Sequence, residues 1–168
     1  EVVGRVMGIY HRDKDTSEQR IARFGFIEFI DDLTVSSMLV EAVLSWAKEL
    51  GMNALHGPLG FSDLDPQGIL VEGFDQLGNV ATLYHYPYYK NHFEQLEFQT
   101  ECDWVEFKFS LENEYPPILS KINQRARKCL GLTLKEVKTM RELSPWLDDI
   151  FDLVNTTYVN HFGFVPLN

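Results

Sequence analysis

Apolar positions along the chain follow two periods, and the switch between them marks the elements. Residues 24–30 read FGFIEFI, a short, almost wholly apolar run rich in aromatic and β-branched side chains. Such a run predicts a strand buried on both faces. Val35, Met38, Leu39, Ala42, Val43, Trp46, Ala47 and Leu50 then recur at three- and four-residue steps. That spacing predicts a helix over 35–50 with one continuous apolar face. Gly51 follows, where a left-handed residue stops a helix. An apolar run resumes at 52–55 and breaks at 57–60, which reads GPLG. Strand, helix and strand in this order predict a βαβ unit with adjacent parallel strands and a right-handed crossover. Trp46 is expected to pack the helix across the sheet.

The flanking patterns are weaker. Residues 2–10 form a strand-like run broken by glycines, and a charged loop over 11–20 lets it pair antiparallel with 24–30. Residues 62–78, dense in Asp, Gly and Pro, read as a long loop. A short helical turn is expected at 79–83, and the end of a helix at 91–96 with Phe93 and Leu96 inward. Residues 104–109, WVEFKF, alternate as a half-buried strand does. Beyond a linker at 112–117, a helix faces Ile118, Leu119, Ile122, Ala126, Cys129 and Leu130 inward and ends at Gly131. Residues 132–137 are a candidate strand. Ser144-Pro145 is a helix start, since Ser accepts from an orphan amide and Pro has none to lose. Trp146, Leu147, Ile150, Phe151, Val154, Tyr158 and Phe162 then form a core face closed by Gly163.

Composition narrows the classes of function. A formal charge of −10 on 168 residues opposes nucleic-acid binding, because phosphates are repelled over most of the surface. It suits a cationic ligand. The two cysteines, Cys102 and Cys129, lack metal-ligand spacing, and a reduced, cytoplasmic protein is the simplest reading. No apolar run reaches the roughly 18 residues of a membrane span. The chain opens and closes inside apolar stretches, and is expected to be an excerpt of a longer polypeptide.

The order of elements resembles the GNAT acyltransferase superfamily. The segments that carry the likeness are 3–10, 24–30, 35–50, 52–55, 89–98 and 104–109, within about residues 1–111. LVEAVLSWAKELGMNALHG is similar to the helix and following strand of the acyl-CoA core, and YYKNHFEQLEF to the closing helix. The resemblance implies an α/β fold with a mixed sheet, a partial GNAT-like domain over 1–111 and a linker helix over 112–131. Residues 132–168 would open a second, truncated copy. It also implies acetyl-CoA or another acyl-CoA as cofactor, with no metal. Its pyrophosphate turn, laid on this chain, falls on Thr34, Val35, Ser36 and Ser37. The basic or amide position is Asp31, and Thr34 and Ser36 stand where glycines belong. The superfamily's tyrosine acid falls on Phe93, and Glu97 replaces a glycine. A cofactor here is therefore expected to be loosely held.

Several residues are candidates for chemistry. Asp31 and Asp32 either complement the helix dipole or receive a cationic amine at the carboxyl edge of a strand. Tyr84, His85, Tyr86, Tyr88 and Tyr89 either pack or line a pocket. Tyr89, His85 and Glu28 are the candidates for moving protons, and Asp31, Asp32, Tyr84, Tyr86 and Tyr88 for holding substrate. His56 reads as a structural histidine. Asp63, Asp65 and Asp75 lack the spacing of a calcium loop. Seven basic residues between Lys121 and Arg141 form a solvated face or meet an anion. The resemblance implies one of two functions: acyl transfer from acyl-CoA to a small amine or amino-acid-like substrate, or a non-catalytic GNAT-like domain supporting an active second copy in the rest of the polypeptide. A hydrolase using Ser62 and His85 lacks the Gly-x-Ser-x-Gly elbow.

Overall fold

The computed structural model describes residues 1–11, 20–80, 82–110 and 116–167. The chain divides into two compact units, 1–101 with 155–168, and 102–154. The first is a mixed α/β unit. Strands β1 (Gly4–Ile9), β2 (Ile21–Phe29) and β3 (Ala54–His56) form a sheet in the order β1-β2-β3. β1 and β2 are antiparallel, and β2 and β3 parallel. Helices α1 (Leu33–Glu49) and α2 (Tyr88–Gln95) complete the unit.

The expected parallel neighbours are present, but they meet at the other end of β2. Ile21, Ala22 and Arg23 pair with Ala54, Leu55 and His56. Met52 does not join the strand, because its amide closes the end of α1 on the Ala47 carbonyl at 2.9 Å.

Nor is β2 buried on both faces. Arg5 lies opposite Glu28 and Met7 opposite Gly25, so Val6 faces both Phe26 and Ile27. This bulge, with Phe26 at φ 51°, shifts the pleat by one residue. Ala22 and Phe24 are buried before it and Ile27 and Phe29 after it, while Phe26 and Glu28 turn outward. The apolar run therefore records a change of phase.

In α1, Gly51 takes the left-handed conformation expected of a helix stop, at φ 73°. The buried stripe, however, is Ser36, Val40, Val43 and Ala47. Val35, Leu39 and Trp46 flank it, and Met38, Ala42 and Leu50 are exposed. The helix is rolled toward Ser36 because that hydroxyl finds a buried partner. Trp46 packs on both core clusters and covers Gly8, where a Cβ would meet its ring at 2.7 Å. The main cluster joins Phe24, Ile27, Phe29 and Val43 to Tyr89 and Phe93 of α2. Phe93 is thus inward as expected. The turn expected to be helical at 79–83 carries no helix among its described residues.

The unit 102–154 departs further from the sequence reading. Residues 104–109 and 132–137 are not strands: a strand needs an edge to pair with, and no strand lies within this unit's described residues. Helix α3 (Pro117–Leu130) has the expected limits, with Gly131 left-handed at φ 62°. Yet Ile118, Leu119, Ile122 and Leu130, expected inward, are exposed. Helix α4 (Met140–Leu143) starts before Ser144, capped by the Thr139 hydroxyl on the Glu142 amide at 3.3 Å. Ser144-Pro145 instead opens a 3-10 turn leading into helix α5 (Leu147–Thr157). Trp146, Ile150, Phe151 and Tyr158 are exposed where a core face was expected. The linker at 112–117 lies largely outside the described residues.

Candidate functional site

A cleft of about 520 Å³ opens in the first unit. Its walls come from the start of β1, the bulged half of β2 and the segment before α2. The bulge positions the site, because it turns Phe26 and Glu28 to the cleft side. Tyr84, His85, Tyr86, Tyr88 and Tyr89 line it together with Arg5 and Glu28. The aromatic hexapeptide and Glu28, separate in the chain, are thus brought together. Asp31, Asp32, Thr34, Val35, Ser36 and Ser37 are not among the lining residues.

The tyrosines are held by the backbone they face. Beyond Arg23, β2 has no parallel partner, and buried peptide groups require one. Tyr88 donates its hydroxyl to the Phe29 carbonyl at 2.7 Å, and the Phe29 amide donates to the Tyr89 hydroxyl at 3.2 Å. Burial, then the neighbouring Tyr89, Asp31 and Tyr86, hold the Tyr88 phenol above its ordinary pKa, so it stays a donor. The Tyr84 hydroxyl donates to the Phe74 carbonyl. Tyr86 stacks on Tyr88, with ring centroids 5.8 Å apart. These rings act as walls.

His85 is the buried polar group of the cleft. It is 7 % exposed and lies against Tyr89 at 4.6 Å, and its Nδ1 has no hydrogen-bond partner. Burial pulls its pKa below the ordinary value, against the opposing pull of the Glu28 charge. A neutral imidazole is therefore favoured inside the cleft. At the rim, Arg5 donates to Glu28 at 2.9 Å.

The start of α1 is occupied by its own chain. Asp32 is the N-cap, its carboxylate accepting from the Thr34 amide at 2.8 Å. Its carbonyl accepts from the amides of Val35 and Ser36 at 3.1 and 3.2 Å. The Ser37 hydroxyl donates to Glu41 at 3.2 Å. The amides that would cradle a diphosphate already have partners, and a carboxylate stands among them.

One arrangement escaped sequence reasoning. The Ser36 hydroxyl lies 2.9 Å from His92 Nδ1, and His92 Nε2 lies 3.0 Å from Asp31 Oδ1. With Nε2–H donated to Asp31, a neutral ring accepts a hydrogen bond from the Ser36 hydroxyl at Nδ1 in competition with the Leu33 carbonyl, 3.1 Å from that hydroxyl. A ring donating at Nδ1 leaves the hydroxyl to Leu33. The order of groups is that of a serine-nucleophile triad, but the exposure is reversed. Ser36 is 1 % exposed while the Asp31 side chain is 67 % exposed. A hydroxyl that no acyl group reaches is not a nucleophile. The chain of contacts instead ties the end of β2 to α1 and α2. Its signal in the sequence was a histidine on the apolar face of α2, between Tyr89 and Phe93.

Arg23 was also missed. Its guanidinium donates to the carbonyls of Gly60, Phe61 and Gly163 at 3.4, 3.0 and 3.2 Å. His56 ends β3 and stacks on Phe162 at 6.3 Å. Ser62 accepts from the Leu64 amide at 3.2 Å, and Asp65 from the Ser62 amide at 3.0 Å. Among the described residues, no cluster of three or more His, Cys, Asp or Glu is placed to hold a metal, and no helix is long and apolar enough to cross a membrane.

No family model and no solved structure matches the chain. It is similar to Protein YghO of Escherichia coli (strain K12), with 28% identity over 173 residues. That match takes in 99% of this chain, which spans 42% of the length of YghO.

Proposed function

We propose that residues 1–101 form a GNAT-like domain that binds a small amine or amino-acid-like molecule in the aromatic cleft, without holding acyl-CoA at the start of α1. The observation that carries this is Asp32, which takes three amides of the phosphate turn for its own chain. Acyl transfer, on this reading, belongs to the rest of the same polypeptide, and the longer relative leaves room for a second copy. Support for the family also comes from Glu97. It stands where the resemblance puts glycine, and its φ of 61° is one that glycine adopts freely.

The binding half is tested by calorimetry with tyramine, an aromatic amine whose ammonium Glu28 can meet and whose ring the tyrosines can take. Saturable binding weakened at least tenfold by Tyr86→Ala is expected. Binding that is absent, or indifferent to Tyr86, contradicts the reading.

A second reading keeps the acyltransferase in this domain, and it is favoured by β2 running on past the end of β3. Among the described residues no parallel ladder continues beyond Arg23, where the Leu59 amide bonds to the Phe24 carbonyl. An acyl-CoA would then enter beside the bulged strand, whose amides would hold the thioester carbonyl, with His85, Glu28 or Tyr89 accepting the amine proton. Release of free CoA from acetyl-CoA by the chain with tyramine as the acceptor, matched by N-acetyltyramine and lost in His85→Phe, would select this reading over the first.

A further inference from the structure

The rim of the cleft carries two opposite charges side by side. Arg5 and Glu28 are directly paired across the β1–β2 ladder, and their side chains are 63% and 64% exposed. A pair this open to water holds itself together weakly, so a ligand with matching charges opens it at little cost. An amine alone would meet Glu28 but leave Arg5 facing its own cationic group. A zwitterion satisfies both.

The interior has complementary demands. Phe26, Tyr84, Tyr86 and Tyr88 offer aromatic surface. His85, a lining residue, holds a buried ring nitrogen with no partner, a state that is expensive to maintain and is relieved by a polar ligand atom. Either tautomer of a neutral imidazole is satisfied by a hydroxyl, which both donates and accepts. The volume, about 520 Å³, lies within the range of small-ligand sites.

We infer that the cleft is a site for a zwitterionic aromatic α-amino acid bearing a ring hydroxyl. The carboxylate lies on Arg5, the ammonium on Glu28, the ring among the tyrosines and the hydroxyl at His85 Nδ1. This rests on the reading of the cleft as a small-molecule site, and makes its ligand class specific.

Three probes test it by NMR titration of the full chain: L-tyrosine, tyramine without the carboxylate, and 3-(4-hydroxyphenyl)propanoate without the ammonium. L-Tyrosine is expected to bind at least tenfold more tightly than either analogue. Arg5→Gln should abolish its advantage over tyramine, and Glu28→Gln its advantage over the propanoate. His85→Phe should reduce L-tyrosine to the affinity of L-phenylalanine. The two rim side chains are exposed, so amide spectra of those variants should show an unchanged fold. Tyramine binding as tightly as L-tyrosine overturns the zwitterion inference and leaves the small-molecule site standing. No shift at any cleft amide with any probe overturns both.

Discussion

Helices α1 and α3 both carry apolar periods, the sharper one in α3, yet only α1 has a core. Along α1, Ser36, Val40, Val43 and Ala47 are buried, whereas α3 buries none of its residues. Indeed, no described residue of 102–154 is buried. The difference lies in what the stripe meets. The first unit brings two helices onto a sheet, where β2 supplies Phe24, Ile27 and Phe29. The described residues of the second unit hold helices and no sheet. A periodic pattern specifies a helix and a face; it does not specify the surface that covers that face.

The largest expected effects sharpen this contrast. Phe24 is 1% exposed and contacts Phe93 and Phe98 at 5.9 and 5.5 Å. Phe24→Ala should destabilise by about 3–5 kcal/mol in urea unfolding. Ile122, on the apolar stripe of α3, is 57% exposed. Ile122→Ala should stay within about 0.5 kcal/mol of wild type. Equal losses at the two sites would break the comparison.

The buried contacts between helices come next. Ser36→Ala leaves His92 Nδ1 without its partner at a site that water does not reach, and should cost about 1–3 kcal/mol. A neutral outcome would mean that the Asp31–His92–Ser36 series does not hold α1 against α2. Glu97→Gly works in the opposite direction. Relief of the left-handed backbone at φ 61° should stabilise by about 1 kcal/mol, read from the unfolding midpoint. A loss of stability would show that the Glu97 side chain outweighs the strain.

The smallest effect is a pH dependence from His85. Its folded pKa is lowered from the ordinary 6.5 by burial, so the folded state favours the neutral ring. The unfolded chain then binds more protons near that pH, and stability is full above about 6.5 and declines as the pH falls below it. His85→Phe should flatten this part of the profile. An unchanged slope would assign it to another group.

The strand–helix–strand order, the ends of α1 and α3 and the inward Phe93 were legible because each rests on local chemistry: period, a left-handed glycine, an aromatic at helical spacing. The β2 bulge was not, because FGFIEFI is read equally well as a strand buried on both faces or as one that changes phase at Phe26. The pleat phase is decided by Val6 on another strand. The cleft was legible as a list of tyrosines and His85, but the part of Arg5 was not, since it depends on cross-strand register. Asp32 was read as either helix cap or amine site, and the structure has it capping α1.

The most direct measurement of the central claim, that recognition in this unit belongs to the cleft and not to the turn before α1, is a residue-resolved NMR titration with acetyl-CoA. Thr34, Val35 and Ser36 amides, already donated to Asp32, are expected to show no saturating shift up to millimolar acetyl-CoA. Saturation of those three amides at micromolar concentration would contradict the claim and return the phosphate turn to this domain.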